Sequence, residues 1–200
     1  MRLALPSIMG QVILVIYNMA DTFFIGMTGS DAMLTAVTVC MPAFMFLSAI
    51  SNLFGVGGAS VISRALGKGK ESRARFASAY SFWACMAVTL VYCIGVFVFR
   101  EPFVDLLGGT HTDVHKFSVD YLVIAVVAGG LVTALNTLFS HLLRAEGKSI
   151  SASIGIIAGG FLNIILDPIF MFVILPRGQE VRAAAISTAL SNAIALLYYV

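Results

Sequence analysis

Charge is scarce in this sequence. Aspartate, glutamate, lysine and arginine make up 11% of its 200 residues, against about 25% in an ordinary soluble domain. A soluble fold of this size could not cover its surface with so few charges, so that class is excluded. The net charge is only +2, and no basic stripe with interleaved aromatics runs through the chain, so nucleic acid is not an expected partner. Cysteine is nearly absent too. Cys40, Cys85 and Cys93 are odd in number and form no C-x-x-C. Cys85 and Cys93 share one apolar segment at a spacing too wide to bridge, so all three read as small buried hydrophobes rather than redox or metal groups. Catalytic signatures are missing as well. Without G-x-x-x-x-G-K-[ST] the chain has no phosphate-binding loop for ATP. With neither G-x-S-x-G nor H-E-x-x-H, an intramembrane hydrolase or metalloprotease has no support. No enzyme activity, cofactor or resident metal is expected.

What fills the sequence is apolar surface, at 60% of residues. Six segments reach the roughly 20 residues needed to span a bilayer, at about 3–27, 32–62, 76–99, 117–143, 150–175 and 183–200. None shows the alternation of a barrel strand, so the expected fold is an all-α integral membrane protein with six transmembrane helices. The first segment is too long and too polar for a signal peptide, with Gln11, Asn18 and Asp21 in it, and reads as a retained helix. Arg2, Arg64, Lys68, Lys70, Arg73, Arg75, Arg144 and Lys148 fall on one side of this arrangement. Arg100, Lys116, Arg177 and Arg182 fall on the other. The excess of positive charge places the N-terminus and the loops after the second and fourth segments in the cytoplasm. The sixth segment runs to Val200 with no polar tail, which suggests part of a longer protein.

Two carboxylates lie well inside these segments, Asp21 and Asp167. A charge at mid-bilayer costs on the order of 3 kcal/mol on insertion scales, so each is a functional candidate by default. At 100° per residue, Ser7, Gln11, Asn18 and Asp21 form one polar stripe on an oily helix. Gly155, Gly159, Asn163 and Asp167 follow strict four-residue spacing, which lines small residues along one half of a face and polar ones along the other. Pro168 removes a backbone donor beside the carboxylate and should kink the fifth helix there. A freed carbonyl next to a carboxylate and an amide suits Na⁺ or a transferable proton. Ser187, Thr188, Ser191 and Asn192 in the sixth segment, and Asn136, Thr137 and Ser140 in the fourth, are further candidates. Gln11, Asn18 and Asn136 are candidates for lining a cavity. His111 and His115 have metal-compatible spacing but sit in a polar loop without a third ligand. His141 reads as an interfacial histidine. Costly intramembrane carboxylates without an ATP or hydrolase signature favour a secondary transporter driven by an ion gradient.

Several stretches resemble the multidrug and toxic compound extrusion (MATE) family: "YNMADTFFIG", "NLFGVGGASVISRALGKGK", "LLRAEGK", "LNIILDPIFMF" and "AAAISTALSNA", in order across the whole chain. The resemblance implies a twelve-helix antiporter of two lobes, of which this chain matches the N-terminal one. It further implies export of organic, often cationic, compounds in exchange for Na⁺ or H⁺, from the cell (inner) membrane. The family's acidic position in the first helix falls on Asp21, its pair in the fifth on Asn163 and Asp167, and a hydroxyl in the sixth on Thr188. The second lobe is not in this chain, so a missing C-terminal lobe or a second copy is the implied partner, besides membrane lipid. Two other readings are a lipid-linked saccharide flippase of the same superfamily and a non-transporting membrane partner subunit. Flippases tend to carry cationic cavity residues, whereas every Lys and Arg here sits at a helix end or in a loop.

Overall fold

The structure, a computed structural model, describes residues 4–176 and 178–199, with the side chains at 4–7, 9, 11 and 14 outside that description. Arg2 and Arg177 therefore lie outside the described residues, as does the side chain of Gln11. Among the described residues there are helices and turns but no strand. The helices are α1 (Ala4–Gly26), α2 (Asp31–Gly67), α3 (Glu71–Val98), a short α4 (Arg100–Leu106), α5 (Thr112–Leu122), α6 (Gly130–Ala145), α7 (Ser149–Ile169) and α8 (Glu180–Tyr199). Two π-helical turns extend them, Val123–Ala128 after α5 and Phe170–Ile174 after α7.

Local chemistry explains the punctuation. Gly29, Gly69 and Gly147 take φ of +70°, +66° and +84° at the turns closing α1, α2 and α6, a region that costs residues with a Cβ. Ser30 caps α2, its hydroxyl accepting from the Met33 N–H at 3.4 Å, and Asp31 adds a negative charge where the helix dipole favours one. α2 then runs 37 residues without a break, through Pro42. That is about 55 Å at 1.5 Å per residue, well beyond a ~30 Å hydrocarbon core.

Four described helical stretches are long and apolar enough to cross a membrane: α2, α3, Ser149–Ile174 and α8. The pair Thr112–Ala128 and Gly130–Ala145 makes a fifth, bent by 49°. α1 adds 23 residues whose one charged side chain is Asp21. The bundle closes in the order α1, α7, α8, α6, α2, α3. One apolar core lies toward the α4–α5 end around Ile25, Cys40, Leu122 and Met171. A second lies toward the α2–α3 turn around Leu47, Cys85 and Leu138. Large apolar side chains also face outward, such as Leu53, Val91 and Val173 at 70%, 71% and 78% exposure. In water that surface would be untenable, and in lipid it is the expected exterior.

Two spans carry wider turns. The fourth is expected as one helix over 117–143, yet its backbone widens to a π turn at Val123–Ala128 and bends at Gly129. The bend lies where α8 comes closest: a Cβ on Gly129 would meet the Ala189 Cβ at 2.9 Å. A backbone carbonyl in the widened turn, that of Val126, accepts from the Cys93 thiol at 3.2 Å. All three cysteines are free and buried. Conversely, α7 continues through Pro168 for one more residue and then relaxes into the Phe170–Ile174 π turn. The distortion expected at the proline takes the form of a wider turn just after it. The glycine row on α7 serves packing at its other end, where a Cβ on Gly155 would collide with the Tyr199 ring of α8.

Candidate coupling site

Asp167 and Asn163 lie one turn apart on α7 and face α8, 0% and 1% exposed. The Asn163 amide donates to Asp167 Oδ1 at 3.2 Å and to Thr188 Oγ1 at 3.3 Å. Ser187 donates its hydroxyl to the same Asp167 oxygen. It also donates to the Ala184 carbonyl within its own helix, at 3.0 Å. Thus Asn163, Asp167 and Thr188 are brought together, and Ser187, one of four α8 polar residues the sequence offered, is the one that touches the carboxylate directly. Only tertiary packing could single it out.

Asp21 reaches this cluster from α1. It is carried there by the packing of α1 along α7. Tyr17, one turn before Asp21, is a member that the sequence reading did not pick out. A Cβ on Gly160 of α7 would meet its ring at 3.1 Å. The signal was available, because Tyr17 and Asp21 have the i, i+4 spacing that puts side chains on one face. Asn18 is exposed, and its carbonyl accepts the Thr22 hydroxyl at 3.1 Å.

Asn136 belongs to a neighbouring cluster. Its amide donates to Asn192 Oδ1 at 2.8 Å, and the Asn192 amide donates to Thr133 Oγ1 at 3.2 Å. Asn192 follows Thr188 by four residues on α8, so the two clusters form one polar track from α7 across α8 to α6. His111 and His115 stay apart from it. His115 instead lies 3.5 Å from Glu101 Oε2 and 3.3 Å from Asp105 Oδ1, and among the described residues no group of three His, Cys, Asp or Glu could hold a metal. His141 faces Asn52 across α2 and α6, 3.0 Å from its Oδ1.

The track is rich in unpaired acceptors. Asp21 Oδ1, Asn163 Oδ1, Asp167 Oδ2 and Asn136 Oδ1 are all buried without a hydrogen-bond partner. Leaving such an atom unmatched costs about 1–3 kcal/mol. Oxygen ligands of this kind suit a hard cation or a proton, and the donor set fits either.

The MatE family model matches residues 6–169. The chain is 32% identical over 200 residues to the multidrug export proteins MepA of Staphylococcus haemolyticus (strain JCSC1435) and Staphylococcus aureus (strain NCTC 8325 / PS 47). Each match covers 100% of this chain and 43% of the relative, so the chain spans less than half the length of the curated relatives it matches. Among solved structures it is similar to a MATE crystallised in complex with MaD3S, with a TM-score of 0.91 at 26% identity over 99% of this chain and 43% of that one. It is also similar to a transporter of the MOP superfamily from Pyrococcus furiosus, described as having a binding pocket of reverse polarity that suggests a different function. There the TM-score is 0.84 at 27% identity, over 99% of this chain and 42% of that one.

Proposed function

This chain belongs to the MatE family, and on that premise we propose that it is one lobe of a secondary antiporter that exports organic cations in exchange for Na⁺ or H⁺. The observation that carries this reading is the set of buried, unpaired oxygens on Asp21, Asn163 and Asp167. A cation or proton bound there cancels one of the two negative charges, relieves the repulsion between the carboxylates and lets α1 and α7 pack closer. Its release restores their repulsion and favours a different packing of the two helices. A bound ion and a cationic cargo drawn to the same carboxylates compete, which is the reciprocity that exchange transport requires. Thr188 and Ser187 position the amide and the carboxylate. Gln11, Asn18 and Asn136 border the path of the cargo.

Transport by a two-lobed machine needs a second six-helix unit, either a C-terminal lobe or another copy of this one. The basic loops Lys68–Arg75 and Arg144–Lys148 set the orientation in a cell membrane, with the α2–α3 turn in the cytoplasm. A saccharide–phosphate cargo would call for basic groups along the track, and its unpaired atoms are acceptors instead.

The test is gradient-driven efflux of a fluorescent organic cation by a transporter containing this lobe. Asp21→Asn and Asp167→Asn should each slow it by about tenfold or more, the factor that ~1.4 kcal/mol of lost coupling represents. Efflux undiminished by both substitutions would rule the assignment out.

A further inference from the structure

A groove of about 690 Å³ opens on the outer side of α2, α3 and α6, away from the polar track. Its walls change character along α3. Glu71 and Arg75 lie at the helix start, Ser78 one turn further in, and Phe82 and Trp83 beyond that. From Glu71 to Trp83 is about 18 Å at 1.5 Å per residue, close to the ~15 Å depth of one leaflet's hydrocarbon. The deep end is aromatic. Phe82 stacks edge-on against Trp83 at 5.3 Å and against Phe139 of α6 at 5.9 Å. Trp83 is 62% exposed, so the apolar floor lies open at the surface of this lobe.

The mouth carries charges of both signs. Glu146, at the end of α6, is already paired with Lys148 at 3.0 Å. Glu71 and Arg75 are exposed, and among the described residues neither is in an ion pair. One free carboxylate and one free guanidinium, a helical turn apart, are complementary to an ammonium and a phosphate joined by a short linker. The guanidinium fork matches a phosphate. The carboxylate accepts hydrogen bonds, which a primary ammonium donates and a quaternary one does not.

We propose that this groove is a binding site for a phospholipid with a phosphoethanolamine headgroup, whose phosphate lies at Arg75, whose ammonium lies at Glu71, and one of whose acyl chains lies over Phe82, Trp83 and Phe139. An anionic lipid without the ammonium leaves Glu71 unmatched and repelled. A choline lipid fills the groove but gives Glu71 no hydrogen bond. The occupant comes from the leaflet on the side of the α2–α3 turn.

Trp83 is the one tryptophan of this chain, so with any tryptophan of a partner lobe replaced by phenylalanine the groove reports on itself. The protein is reconstituted in bilayers of unbrominated phosphatidylcholine. Brominated-chain phosphatidylethanolamine, phosphatidylcholine or phosphatidylglycerol is then titrated in, and the quenching of Trp83 is read. Phosphatidylethanolamine should compete about two- to fivefold better than the other two, the gain expected of one exposed ion pair. Arg75→Gln should abolish that preference. Glu71→Gln should shift it toward phosphatidylglycerol. Both side chains are exposed, and circular dichroism should show unchanged helix content. Equal quenching by all three headgroups overturns the proposal, as does a preference for the anionic lipid in the parent protein. So does an ethanolamine preference that survives both substitutions, or an absence of quenching, which would mean that another protein segment fills the groove.

Discussion

Replacing Asp167 by alanine should leave the protein in cation-free buffer about as stable as before, although the side chain is completely buried. The reason lies in what its neighbours keep. The Ser187 hydroxyl still donates to the Ala184 carbonyl at 3.0 Å, and the Asn163 amide still donates to Thr188 at 3.3 Å. One N–H of the buried Asn163 amide loses its acceptor, at about 1–3 kcal/mol. The substitution removes two hydrogen bonds to a charged group, each worth about 1.5–3 kcal/mol net. It also removes the desolvation cost of a buried carboxylate, several kcal/mol, together with the penalty on the unpaired Oδ2. These terms cancel to within about 2 kcal/mol. The parent differs once a coupling cation is added. At a hundred times its dissociation constant such an ion stabilises the folded state by about 2.7 kcal/mol, and the variant should gain none of it. Detergent-driven unfolding followed by circular dichroism, at fixed pH with and without Na⁺ or at two proton concentrations, separates the two quantities. A variant that loses more than about 3 kcal/mol without cation would make Asp167 a structural cornerstone. A variant still stabilised by cation as strongly as the parent would remove Asp167 from the site. Either result refutes the reasoning.

Gly155→Val would drive the Tyr199 ring from its place and break the bond from its hydroxyl to the Ala152 carbonyl, 2.8 Å long. Unfolding should show a loss of about 2–4 kcal/mol, largely recovered by adding Tyr199→Ala. Asn136→Ala strips Asn192 Oδ1 of its donor, which should cost about 1–2 kcal/mol, and the double variant with Asn192→Ala should cost less than the sum of the two singles. Asp120→Asn breaks the half-exposed pair with Arg182, whose Nη2 lies 3.0 Å from Asp120 Oδ2. Its effect should stay below about 1 kcal/mol and shrink further in high salt. Because the three native cysteines are buried, a single Lys68→Cys should be labelled in cells by a membrane-impermeant maleimide only after permeabilisation. Labelling in intact cells would reverse the orientation.

Membrane class and helix positions were legible because both depend on gross quantities, namely few charges and long apolar runs. The facing of Asn163 and Asp167 was legible for a related reason, since four-residue spacing fixes a helical face whatever the tertiary context. The 49° bend in the fourth span was not. The stretch VIAVVA contains no breaker, and only the Gly129–Gly130 pair hints that a neighbour approaches there. At Pro168 a distortion was legible but its form was not. A proline near the end of a span can be absorbed by a wider turn just after it, and composition does not distinguish that outcome from a kink. The amide ladder from Asn136 through Asn192 to Thr133 joins residues 56 and 59 positions apart. Such pairings depend on which helices become neighbours, so periodicity within one helix carries no trace of them.

The distribution of unmatched polar atoms argues for the sign of what this lobe handles. Along the α1, α7, α8 and α6 track, every buried unpaired side-chain atom of Asp21, Asn136, Asn163 and Asp167 is an oxygen that accepts. The unmatched buried groups able to donate among the described residues, Nε and Nη2 of Arg144 and the Ser153 hydroxyl, sit at the end of α6 and in the first turns of α7, beside the basic loop. A random excess of polar groups would mix the two kinds. Separation by depth means that the track has spare acceptors but no spare donor of its own on Asp21, Asn136, Asn163 or Asp167, and a species carrying a donor or positive charge is favoured there. A proton satisfies one carboxylate, Na⁺ can satisfy several oxygens together, and an organic cation brings charge with apolar bulk. All three answer the same deficit and therefore exclude one another. An anionic cargo would meet unpaired acceptors and two carboxylates, a repulsion that no nearby basic residue on the track relieves.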